Sequence, residues 1–408
     1  MSRIRDLGDH LARPDWARRI IAMGEAVGGA AGLVPLDVDA MTEFAMESVG
    51  LSDFGDFDGD WRARLLGLVE AIEDTARMHA LGRLMTREEL MRALRTRLLL
   101  TDELKRRPAI ASERIVEPIV ITGPARSGTS ILLELLDLDP RARGAQAWEI
   151  AHPFPAGNTD RDVRIRMTEC EEEFWADVQP EFAAIHELRS DLPVECIHIQ
   201  MPSFSGAFWP MIAHIPGWVP DMEAAMRFHR ALLQALQHEA EPVTWVLKTP
   251  VYLAMMDQLF ATYPDAWVIH THRDPVKTTI SGASTLATVR WLRSDHVDLE
   301  GMGGDGMSLL LMALMKRREE GSLPDRIVDV HFRDLMADPA AAIGAAYDQM
   351  GREFLGEHAD AIRRYVANKP KGKFGAHAYT PEQWGFDLHE VRERMRPYTD
   401  HYGIDLEE

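Results

Sequence analysis

The chain has 408 residues, 46% of them hydrophobic, and a formal net charge of −20. This length supplies a large core and about two or three domains' worth of chain, while so acidic a surface excludes general DNA or RNA binding, which needs clustered Lys and Arg. Two cysteines, Cys170 and Cys196, exclude a disulfide framework and a cysteine-rich zinc site.

Residues 1–112 read as helices. The stretch from Asp60 to Pro108 has apolar residues at helical spacing, with predicted helix starts at Asp60 and at Thr86, the latter followed by Glu88 and Glu89. Just before it, "DFGDFDGD" (53–60) carries a kinase-like D-F-G and a faint likeness to a calcium loop. Phe54 breaks the alternation of carboxylates that such a loop needs, so the segment reads as a turn with helix caps. No apolar run approaches the ~18–20 residues of a membrane span. The opening MSRIRDLGDH lacks a signal-peptide core. The expected setting is the cytoplasm.

The pattern then changes. Strands are predicted at 117–123, 242–250, 266–275 and 326–335, and helices at 130–139, 221–239 and 251–262. Strands alternating with helices imply an α/β fold with a central parallel sheet covered on both faces. Ligands of such sheets sit at the carboxyl ends of the strands. The polar strand ends at 123–130, 248–250 and 272–275 are therefore expected to face one crevice.

The first of these ends, "ITGPARSGTS" (121–130), has two glycines five apart, Gly123 and Gly128, as in the triphosphate loop G-x-x-x-x-G-K-[ST]. Thr129 stands where that loop has its lysine. A strand, a glycine-rich turn and a helix N-terminus make an anion site, since free backbone N–H groups and the helix dipole both favour negative charge. Arg126 adds a charge, and Ser127, Thr129 and Ser130 add hydroxyls. With the lysine missing, the expectation is a phosphate ligand bound without an essential metal.

"GPARSGTS" resembles the 5′-phosphosulfate loop of sulfotransferases that use 3′-phosphoadenosine 5′-phosphosulfate (PAPS), whose consensus is close to P-[KR]-S-G-T-[ST]. Ala125 departs from its proline. Other segments resemble the same family, in its order, across roughly residues 115–385. "HRDPVKTTIS" (272–281) resembles the segment whose Arg and Ser, here Arg273 and Ser281, hold the 3′-phosphate. By itself the segment also fits a surface Arg273–Asp274 pair. "KTP" (248–250) supplies Lys248, which the resemblance places near the leaving phosphate. "HFRDLMADP" (331–339) matches a structural strand-to-helix segment. "KPKGKFGAH" (369–377) resembles the K-G-x-x-G loop, here Lys371, Gly372 and Gly375, that closes over the cofactor.

The resemblance implies a P-loop-NTPase-like sulfotransferase fold in residues 113–408, preceded by an all-helical extension. Residues 150–240 would form the acceptor-site insert and 369–380 the cofactor-closing loop. It implies sulfuryl transfer from PAPS to a hydroxyl, or less readily an amine, of a small acceptor. The predicted catalytic residues are Glu149, Lys248 and Arg126. The predicted donor ligands are Arg126, Ser127, Gly128, Thr129, Ser130, Arg273, Ser281, Lys371 and Gly372.

The cytosolic branch places a histidine two residues after the lysine. Pro250 occupies that position; other branches use a glutamate shortly after the first helix, and "AQAWEI" resembles their W-E, which implies Glu149 as the general base, with His152, His186, Glu187, Glu195 and His198 as further candidates. Trp175, Phe204, Phe208, Trp209 and Trp218 suggest an apolar acceptor wall, although ordinary core packing accounts for such residues as well. The alternatives are a P-loop kinase using ATP–Mg and a non-catalytic nucleotide-binding protein of the same fold. Association with further copies of the chain is left open.

Overall fold

The computed structural model describes residues 7–157, 159–185, 187–299, 306–369, 384 and 386–407. Its centre is β1 (Ile119–Thr122), whose four residues are all buried. A strand covered on both faces cannot alternate polar and apolar side chains, and IVIT does not. β2 (Ala142–Gly144), β3 (Thr244–Lys248), β4 (Trp267–His272) and β5 (Ile327–His331) complete a five-stranded sheet in the order β2-β3-β1-β4-β5. Every pairing is parallel. Ile119 is in register with Val246 on one side and with Trp267 on the other.

β3 and β4 thus flank β1, and the chain leaves β1 toward β2 on one side but leaves its neighbour β4 toward β5 on the other. That is the arrangement that opens a crevice at the carboxyl ends of adjacent strands. The short edge strand β2 was not predicted, because "ARG" carries no apolar run. The strand predicted at 326–335 ends earlier, since helix Phe332–Ala337 begins directly after His331. Residues 250–254 form a 3₁₀ turn ahead of helix Met256–Thr262.

The helical start predicted at Thr86 is corrected. Thr86 lies buried inside one 27-residue helix, Ala80–Arg106. The helix starts at His79, whose Nδ1 accepts from Gly82 N at 3.0 Å. Gly82 is required by a close approach: a Cβ there would meet the Arg293 carbonyl oxygen at 2.1 Å. No single described helix is long and apolar enough to cross a membrane.

The N-terminal helices share their core with the middle of the chain. Leu65, Leu68, Leu90 and Leu94 pack with Phe204, Phe208, Trp209 and Leu292. The turn 53–60 pins this union. Asp58 and Arg97 are both fully buried, and Arg97 grips the two carboxylate oxygens at 2.7 and 2.8 Å. Arg64 adds a third contact at 2.7 Å, and Arg97 also donates to Pro202 O at 3.3 Å. Removing one member of such a buried pair leaves the other charge uncompensated. Asp58→Ala should therefore cost about 3–5 kcal/mol in urea unfolding. Asp56→Ala, exposed on the same turn, should change stability by less than about 0.5 kcal/mol. Equal small losses would contradict a pinning role.

Candidate active site

The phosphate-type loop leaves β1 through Gly123 (φ 154°) and enters helix Thr129–Leu136 through Gly128 (φ 89°). Both need glycine. A Cβ on Gly123 would lie 2.1 Å from the Thr271 hydroxyl of β4, and Gly128 is left-handed. Between them Arg126 also takes a left-handed conformation, φ 66°. Ser127 is buried and turned inward. Its hydroxyl donates to Pro124 O at 2.6 Å and sits 2.5 Å from Thr271 Oγ1. It braces the loop against β4.

The outward groups of the loop line a cavity of about 1280 Å³, mouth included. Arg126, Thr129 and Ser130 line it from the loop, and Lys248 and Pro250 from the end of β3. Lys248 is only 2% exposed. Its ammonium donates to Ser130 Oγ at 3.3 Å and pairs with the Glu195 carboxylate. Glu195 stands at the start of helix Cys196–Gln200 and also lines the cavity. One cation thus bridges the phosphate-type loop and a carboxylate from the insert.

Glu149 lies elsewhere. It is the third residue of helix Ala147–Ala151, which turns Ala147, Ile150 and Ala151 to the cavity. The Glu149 carboxylate closes a capping box with Gln146, accepting its backbone N–H at 3.3 Å, and pairs with Arg143. It is absent from the cavity lining, and its carboxylate is engaged by Arg143 and the start of its own helix.

Arg273 and Ser281 do not line the cavity either. Arg273 touches the loop from behind, donating from Nη1 to Arg126 O at 2.7 Å, and lies over the Phe332 ring at 3.9 Å. It opens into a separate groove with Arg333, Ile404, Asp405 and Glu407. Ser281, on helix Pro275–Trp291, is fully buried, and its hydroxyl has no partner among the described residues. The next residue approaches the loop, since a Cβ on Gly282 would lie 3.9 Å from Ala125 Cβ. The strand ends therefore open on two concavities, one lined by the loop and the end of β3 and the other by Arg273 and the residues that follow β4 and β5. Lys371, Gly372, Gly375 and His186 lie outside the described residues.

The remaining cavity wall is apolar with one charged region. Trp175 and Phe208 line it, as do Phe182, Met201 and Val289. Phe204 and Trp209 are instead fully buried in the core beneath the N-terminal helices, and Trp218 packs partly buried against that core. The charged region was missed in the sequence. Glu88, Glu89 and Arg92 reach the cavity from helix Ala80–Arg106, and Glu171 and Glu172 from helix Arg161–Val178. Arg92 donates to Glu171 at 2.6 Å, and His152 Nε2 lies 2.9 Å from the other oxygen. Burial pushes the Glu171 carboxyl up, but the Arg92 charge and the His152 hydrogen bond outweigh it and hold it at about 2. Burial raises Glu88 to about 8 and Glu172 to about 7.

His270, His272 and Asp329 also converge, with ligand atoms within 4.8 Å of one another. Asp329 is already held by Arg318 at 2.6 and 2.8 Å and by His272 at 2.8 Å. The same guanidinium lies 3.5 Å from His270 Nδ1. A cation there would face that charge. With Tyr398 hydrogen-bonded to His272 at 2.7 Å, the group fastens helix Leu388–Tyr402 to β4 and β5.

Comparison with known proteins places the fold in a family. Residues 118–355 match the model of the sulfotransferase family. The chain is 24% identical over 312 residues to omega-hydroxy-beta-dihydromenaquinone-9 sulfotransferase Stf3 of Mycobacterium bovis, covering 71% of this chain and 75% of that protein. The crystal structure of sulfotransferase STF1 from Mycobacterium tuberculosis superposes with a TM-score of 0.73 at 27% identity, over 89% of this chain and 99% of that one. Sulfotransferase STF9 from Mycobacterium avium gives 0.76 at 24%, over 91% and 97%. The chain belongs to the sulfotransferase family.

Proposed function

We propose that this sulfotransferase moves the sulfuryl group of PAPS to a hydroxyl of a small apolar acceptor held in the cavity, in line and without a metal. The observation that carries this reading is the Lys248 bridge, which joins the phosphate-type loop to Glu195 on the wall of one largely apolar cavity. The sulfotransferase Stf3, named for a hydroxylated menaquinone, supports an acceptor that is mostly apolar with a hydroxyl to modify.

The donor's 5′-phosphosulfate lies on the loop amides, beside Arg126, Thr129 and Ser130. The sulfur–oxygen bond to the phosphate breaks as the bond to the acceptor oxygen forms, and adenosine 3′,5′-bisphosphate leaves. Lys248 and Arg126 stabilise the charge that develops on the departing phosphate. Glu195 accepts the acceptor's proton, because its carboxylate is the one that contacts Lys248. Arg273 and Ser281 serve the ribose phosphate from behind the loop. The kinase alternative needs a lysine where Thr129 begins the helix. Two free cysteines fit a reducing cytoplasm.

The test of the activity is transfer of labelled sulfate from PAPS to a metabolite extract in the presence of EDTA, with mass analysis of the product. A sulfated apolar alcohol is expected. Adenosine 3′,5′-bisphosphate binding without transfer to any acceptor would favour the non-catalytic reading. Lys248→Ala should lower kcat by ~10²–10³ and change donor affinity far less. An unchanged kcat would remove Lys248 from the chemistry. Glu195→Gln should abolish the acidic limb of the kcat pH profile, whereas Glu149→Gln should keep that limb and lower Tm. The opposite pattern would return the base to Glu149.

A further inference from the structure

Arg273 is already neutralised. The Glu407 side chain accepts from Arg273 Nε at 2.6 Å and from Nη2 at 2.7 Å, one oxygen to each nitrogen. This is the forked geometry in which a guanidinium also grips a phosphate. The backbone of Glu407 is fixed as well. Its N–H donates to Asp274 Oδ2 at 2.8 Å, and its carbonyl accepts from Arg392 Nη2 at 3.1 Å. Asp274 is itself almost fully buried and caps helix Pro275–Trp291 through Val276 N at 2.9 Å. The segment that follows helix Leu388–Tyr402 is further pinned by Ile404 N to Thr399 O at 2.9 Å and by the Arg333–Asp405 pair.

These contacts place a carboxylate, with its own backbone anchored at both ends, on the guanidinium next to the phosphate-type loop. The hydrogen bonds from Arg273 hold the Glu407 carboxyl below the usual range, so it is ionised at neutral pH. The groove around it is lined by residues 404, 405 and 407 on one side and by 332, 333 and 336 on the other. Meanwhile the Ser281 hydroxyl, on the same helix, is buried without a partner among the described residues.

The geometry points to Glu407 as an internal occupant of the anion site at Arg273, one that competes with the 3′-phosphate of the donor and must leave when the donor binds. The inference rests on the reading above that Arg273 receives that phosphate. Two anions cannot share one guanidinium fork without repulsion, so donor binding and docking of residues 404–407 exclude each other. The apparent affinity for the donor is then reduced by the fraction of molecules whose Arg273 is free. The segment sets donor affinity without touching the sulfuryl group.

The test is isothermal titration of Glu407→Gln and of the unchanged protein with adenosine 3′,5′-bisphosphate and with adenosine 5′-monophosphate, which lacks the 3′-phosphate. If the segment is docked in nine molecules of ten, the substitution should tighten the bisphosphate about tenfold and leave the monophosphate unchanged. Added bisphosphate should also increase amide exchange at residues 404–407 in the unchanged protein. A Glu407→Gln protein that binds the bisphosphate equally or more weakly overturns the competition and makes Glu407 a support that orients Arg273. Arg273→Ala separates the two readings. If it weakens the bisphosphate while Glu407→Gln does not tighten it, the site stands and the competition fails. If it changes nothing, the site at Arg273 itself is wrong.

Discussion

A lysine at the end of a buried strand is the constraint from which the site follows. Lys248 is 2% exposed in a protein of net charge −20. A buried ammonium must be paired, because an unpaired one would lose its proton or expel itself to water. Here the pair is Glu195, with Ser130 of the phosphate-type loop as the neutral partner. The lysine thus ties together three segments that are far apart in the chain. On the proposed reading, an arriving phosphosulfate offers it a second anionic partner, and the carboxylate it releases takes the acceptor's proton. Binding of the donor and arming of the base are then one electrostatic event.

The N-terminal helices belong to this arrangement structurally. Their leucines share a core with residues 204–209, and the buried Asp58–Arg97 pair locks that union. Helix Ala80–Arg106 also brings Glu88, Glu89 and Arg92 to the cavity wall. Walls from three separate regions make the cavity mostly apolar with one charged region. The sheet supplies only the end that carries Lys248 and the loop.

The strand, turn and helix around the phosphate-type loop were legible in the sequence. The spacing of Gly123 and Gly128, the strand before them and the helix after them are local features, and local features survive folding. The same holds for Lys248 at the end of an apolar run. Which carboxylate meets Lys248 was not legible. Glu149 lies in the first turn of one short helix and Glu195 at the start of another, and only the tertiary pairing separates them: one meets Arg143, the other Lys248. Ser127 was read as a ligand group, but its hydroxyl faces Thr271 across to β4, a contact set by strand order. The charged wall at 88–92 and 171–172 was hidden for a similar reason. Acidic residues on helices read as solvated until a second helix covers them. Glu407 lay beyond the region of family resemblance, and nothing in its local sequence points to Arg273.

The central claim is that Lys248 exchanges Glu195 for the donor's 5′-phosphate. A crystal structure with adenosine 3′,5′-bisphosphate tests it most directly. The account predicts the 5′-phosphate on the amides of residues 126–130, within hydrogen-bond distance of the Lys248 ammonium, with that ammonium withdrawn from Glu195. A nucleotide seated away from the loop, or a Lys248–Glu195 pair left intact beside it, would contradict the account.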